Sequence, residues 1–111
     1  MNATPWMGTL RLTTAGTKYQ LSSLLTAKDA DLARAGPVRA QYLLLLVDPD
    51  ASTGTVYIGN SNVSATEYGI FLVANGSVSF PSLDANLINV SQIWLLSDRD
   101  NVDVHVTFIT R

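Results

Sequence analysis

At 111 residues, with 47% hydrophobic and 14% charged side chains, the chain has the size of one domain and enough apolar material to fill a core, which excludes a disordered tail. The lack of any cysteine excludes disulfides, thiolate zinc sites and cysteine nucleophiles together, and a net charge of −2 argues against general nucleic-acid binding. The mean hydropathy of +0.19 is high for so small a domain and points weakly to apolar surface covered by a partner.

The longest unbroken apolar run, Tyr42 to Val47, is far short of the ~20 residues of a membrane helix. The start M-N-A-T-P-W-M-G lacks the basic and apolar regions of a signal peptide, so neither membrane insertion nor export is expected. Charge is uneven along the chain. Residues 1 to 47 hold five basic against two acidic side chains, and residues 48 to 111 hold two against seven. Either the two halves complement each other between neighbouring copies, or their strands interleave in the fold and the asymmetry vanishes in space.

Met1 to Gly8 shows no periodicity and reads as an N-terminal arm preceding a single β-sandwich domain over 9–111. Such an arm, with Trp6 and Met7, either folds back on its own core or docks on a neighbour. Leu10 and Leu12 alternate with Arg11 and Thr13, as in a half-buried strand. Thr17 to Leu21 reads as a second strand, followed by one helical turn or a longer helix from Ser22, and the Ala-rich Lys28 to Ala35 as a loop or short surface helix ending at Gly36-Pro37. Y-L-L-L-L-V at 42 to 47 is apolar at every position and short for a helix, so it is expected to be the central strand of the core, with its excess apolar face covered by another subunit.

Gly54 to Val73 places two apolar runs, Val56 to Ile58 and Tyr68 to Val73, around a cluster of Gly, Asn and Ser, the pattern of two paired strands and their connection. Ala74-Asn75-Gly76 predicts a hairpin turn into Ser77 to Phe80, with Val78 and Phe80 inward. Leu83 to Val90 is an irregular crossing, Ile93 to Leu96 a strand, Asp98 to Asn101 an acidic turn, and Val102 to Phe108 a clean alternating strand. Roughly eight short strands separated by polar turns, without βαβ alternation, predict an all-β antiparallel sandwich of jelly-roll type.

Motifs for chemistry are sparse. His105, the only histidine, sits on the polar face of its strand, and a triad would require the fold to bring a serine and a carboxylate to it. Asp48 and Asp50 begin like a calcium loop, but Thr53 stands where that loop needs Gly and Gly59 where it needs Glu. The N-x-S/T sequons at Asn2, Asn62, Asn75 and Asn89 read as Asn-rich turns, and the glycines form no phosphate-binding pattern, so no cofactor or metal is expected. Trp6, Trp94, Tyr42, Tyr57 and Tyr68 either pack or line a sugar-binding face.

Taken in series, T-K-Y-Q-L-S-S-L-L at 17–25, G-T-V-Y-I-G-N-S-N-V-S at 54–64, Y-G-I-F-L-V-A-N-G at 68–76 and Q-I-W-L-L-S-D-R-D-N-V-D-V-H-V at 92–106 resemble the small β-sandwich domains of tailed-phage structural proteins. The resemblance implies a non-enzymatic, homotrimeric capsid decoration or cement protein that binds the major capsid protein on the virion surface. The alternative it carries is a head- or tail-fibre or baseplate module binding host glycans. Trp6 and Met7 as anchors, with Arg34 and Arg39 as charge partners, are the candidate partner-interface residues.

Overall fold

The computed structural model describes residues 4–34, 39–48, 54–81 and 88–110. Strands dominate: β1 Thr4–Leu12, β2 Tyr19–Gln20, β3 Arg39–Ala40, β4 Tyr42–Val47, β5 Val56–Gly59, β6 Ile70–Leu72, β7 Ser77–Pro81, β8 Ile88–Asn89, β9 Trp94–Ser97 and β10 Val102–Thr110, with helices α1 Leu21–Lys28 and α2 Ala30–Arg34. One four-stranded sheet runs β1-β10-β4-β7, a second β2-β9-β5-β6, and β3 pairs with β8. The pairs β1·β10, β2·β9, β4·β7 and β5·β6 are all antiparallel. The first strand thus pairs with the last, the second with the one before it, and so inward, which is one long hairpin wound over itself into a jelly roll. The expected all-β sandwich is what the chain forms, with β3 and β8 as a small addition to the eight strands.

Alternation decides what faces the core. Val102, Val104, Val106 and Phe108 of β10, Leu43, Leu45 and Val47 of β4, and Leu10 and Leu12 of β1 are buried. They meet Val56, Ile58, Leu72 and Leu95 of the second sheet in one apolar cluster. Helix α1 closes one end with Leu21 and Leu25, spaced i,i+4 on a single face. Lys28 stands in its last turn, where the helix dipole favours a cation.

The structure corrects several expectations. Residues 4–8 of the expected arm are strand, since β1 begins at Thr4 and pairs along its full length with β10, and Trp6 takes the fold-back alternative. Trp6 stacks on Phe108 with ring centroids 5.2 Å apart, and its indole Nε1 donates to Asp29 Oδ2 at 3.0 Å. An aromatic residue at strand parity with a buried Phe gains more by packing there than by remaining in water. Met1 to Ala3 lie outside the described residues.

The Asn75-Gly76 turn is present, with Asn75 at φ 66°, but it joins no hairpin. β6 belongs to the second sheet and β7 to the first. The turn is tied to β4 by Asn75 N–H donating to Val47 O at 3.0 Å and Val47 N–H donating to Gly76 O at 2.9 Å. Leu72 and Val78 both face the core from opposite sheets, so the chain must cross the sandwich here.

Strand β4 is central in its sheet but is covered on one face only. Its burial alternates, and Tyr42, Leu44 and Leu46 point outward. Charge interleaves as well, since basic β1 lies beside acidic β10 and Arg11 pairs with Asp103 at 2.8 Å. The β5–β6 pairing is as expected, in the register Val56 to Leu72, Tyr57 to Phe71 and Ile58 to Ile70. Asp50 and residues 82–87 of the irregular crossing lie outside the described residues.

Candidate functional site

The outer face of the first sheet holds two kinds of side chain in adjacent rows. The β1·β10·β4 registers set Met7 beside Thr107 and Leu44, and Thr9 beside His105 and Leu46. Ile109 pairs with Tyr42 in the neighbouring row. Met7 is 76% exposed and Tyr42 36%, while Leu44, Leu46 and Ile109 are half-buried. An apolar strip therefore crosses three strands at one end of the face.

At the other end is a polar row. Thr9 Oγ1 lies 2.8 Å from His105 Nδ1, and His105 Nε2 lies 3.3 Å from Asp48 Oδ2. Next to it, Arg11 Nε and Nη2 donate to the two oxygens of Asp103 at 2.8 and 3.1 Å. That fork holds the Asp103 carboxyl below the usual carboxylate range, chiefly through the hydrogen bonds and then through the charges of Arg11 and His105.

Hydroxyl, imidazole and carboxylate thus stand in the order of a catalytic triad, in front of a shallow depression of about 310 Å³ lined by Met7, Thr9, His105 and Thr107. Acyl transfer also needs donors aimed at an oxyanion. A sheet face presents side chains, and its main-chain N–H groups lie in the sheet plane. The row ties β1, β10 and the end of β4 together.

The outer face of the second sheet carries the second cluster. Tyr57 and Tyr68 have ring centroids 5.0 Å apart at 46°, and Tyr68 and Phe71 are 5.8 Å apart, edge to face at 88°. Tyr68 is 44% and Phe71 51% exposed. Beside them, Gly59, Asn60, Asn62, Glu67, Tyr68 and Gly69 line a cleft of about 280 Å³.

The four residues named from sequence are not brought together, and no hydrogen bond or ion pair joins any of them to another. Trp6 is committed to its own core and to Asp29, whereas Met7 faces outward on the opposite side of the strand. Arg34 pairs with Asp31 at 3.0 Å on α2, and Arg39 is exposed on β3. Asp98 and Asp100 serve turns, accepting from Thr55 N–H and Ala15 N–H at 2.7 Å each. Among the described residues no three His, Cys, Asp or Glu side chains cluster for a metal.

Sequence reading missed Thr9 and Asp48 as neighbours of His105 and Phe71 as neighbour of the tyrosines. Alternation announced that His105 points outward; only strand pairing supplies its companions, and the outward direction of Phe71 was not read from the sequence.

No protein family matches the chain, and no curated protein does. Among solved structures it is similar to a chain described under "Bacillus endospore appendages form a novel family of disulfide-linked pili", with 14% identity, 100% of this chain and 93% of that one covered, and a TM-score of 0.33. So low a score carries no argument, and this chain has no cysteine with which to form a disulfide.

Proposed function

We propose that the protein is a non-enzymatic assembly protein of a phage virion, one that decorates the capsid surface and docks through the outer face of sheet β1-β10-β4-β7. The observation that carries this reading is the apolar strip of Met7, Leu44, Tyr42 and Ile109, placed on a sheet face that no other described element packs against. The sequence resemblance to phage decoration domains supports it. A protein that binds only the assembled shell stabilises that shell by linkage, with no chemistry needed.

The homotrimer and the capsid surface are proposed as the alternative owners of this strip. Light scattering after size exclusion, over a hundredfold concentration range, reads the first. Co-sedimentation with phage heads stripped of their decoration protein reads the second. Met7→Asp and Leu44→Asp should abolish whichever association is found while leaving the fold intact. A monomer that fails to bind heads, or association that survives both substitutions, overturns the reading.

A further inference from the structure

We infer that the connection between β5 and β6, together with Tyr57, Tyr68 and Phe71, forms a binding site for a neutral saccharide. This site lies on the sheet opposite the apolar strip, so it stands or falls independently of the assembly reading.

Its frame is preorganised. Asn62 N–H donates to Asn60 Oδ1 at 2.9 Å, Val63 N–H to Asn60 O at 3.0 Å, and Ser64 N–H to Glu67 O at 2.7 Å. Thr66 N–H and Glu67 N–H both donate to Ser64 Oγ, and Gly69 N–H closes the loop onto Ile58 O at 2.8 Å. Val63 is buried beneath it at 1% exposure, and Lys18 Nζ donates to Ser61 O at 3.1 Å from outside. A loop so tied is ordered before any ligand arrives, which removes much of the entropy that binding would otherwise cost.

The side chains left over have the chemistry of a sugar site. Asn60 spends its Oδ1 inside the loop, which leaves its amide N–H₂ to donate; Asn62 offers both a donor and an acceptor. The Glu67 carboxylate makes no ion pair among the described residues and can accept from two hydroxyls at once. Exposed aromatic rings carry negative faces suited to the C–H face of a pyranose. A saccharide presents that combination, apolar on its faces and hydroxylated at its rim.

Among the described residues that line the cleft Glu67 alone is charged, so anionic sugars are disfavoured and neutral ones fit. The volume of about 280 Å³ falls just below the roughly 300–1,000 Å³ typical of small-molecule clefts. It suits one or two sugar rings, with further rings of a chain running over Phe71.

The test is saturation-transfer NMR on the full chain with maltose, cellobiose, lactose and N,N′-diacetylchitobiose at millimolar concentration, and sialyllactose as the anionic comparison. Transfer to the ring C–H protons of at least one neutral sugar is expected. Tyr68→Ala should abolish it, and Glu67→Gln should weaken binding about tenfold. Both side chains are exposed, so the variants should keep the parent's thermal midpoint, and Phe71→Ser provides a third check on the same platform. Failure of every neutral sugar to receive saturation, or transfer undiminished in both Tyr68→Ala and Glu67→Gln, overturns the site. So does a concentration-dependent mass that Tyr68→Ala reduces, since the rings would then be covered by a second copy.

Discussion

At the scale of single residues, Asp29 has the widest reach. Its Oδ1 accepts from Asp31 N–H at 2.9 Å at the start of α2, and its Oδ2 accepts from the Trp6 indole. The carboxyl is held below its ordinary range, first by the Trp6 hydrogen bond and then by the backbone bond from Asp31. Trp6→Phe keeps the stack on Phe108 and removes the largest of these causes. NMR titration of that variant should show the Asp29 pKa moving up toward the ordinary value. Asp103 gives a second prediction. Its folded pKa is depressed, so its contribution to stability is present above the unfolded value of about 3.9 and is lost as pH falls through the folded one. Arg11→Gln should therefore flatten the acid limb of urea midpoints measured below about pH 4, and leave the neutral-pH shape of that profile unchanged.

At the scale of elements, turns decide where the chain goes. A Cβ at Gly76 would come within 2.9 Å of Val73 O, a main-chain atom that the turn itself holds in place through Gly76 N–H. Gly76→Ala should destabilise the domain by about 1–3 kcal/mol, read from chemical denaturation, because overpacked backbone cannot yield as a side chain does. Asn75 takes a left-handed conformation, as its type and neighbours foretold. Its partners Val47 and β4 were invisible locally, since they lie nearly thirty residues upstream. The same holds for β2, only two residues long. Leu21 N–H donates to Ile93 O as α1 begins, so the strand gives way to the helix whose Leu21 and Leu25 the core requires.

At the scale of the whole molecule, parity along β4 separates the buried face of its sheet from the outer one. Leu45 is fully buried and Leu44 is not. Leu45→Ala should cost about 2–5 kcal/mol of stability. Leu44→Ala, at a half-buried position, should cost less than half of that in the same denaturation experiment. A jelly roll hosts many activities, and only its surface clusters distinguish them.

Composition and period-two alternation already carried the all-β class, the inward set from Val102 to Phe108, the outward direction of His105 and the pairing of β5 with β6. These are local properties, set by which side chains alternate and how short the connections are. The pairing of the first strand with the last, the crossing at Asn75-Gly76, the Thr9–His105–Asp48 row and the grouping of Tyr57, Tyr68 and Phe71 beside Glu67 belong to the tertiary structure alone. Each depends on register between segments far apart in the chain, and a register is chosen by what the two sheets bury against each other, a quantity no single segment contains.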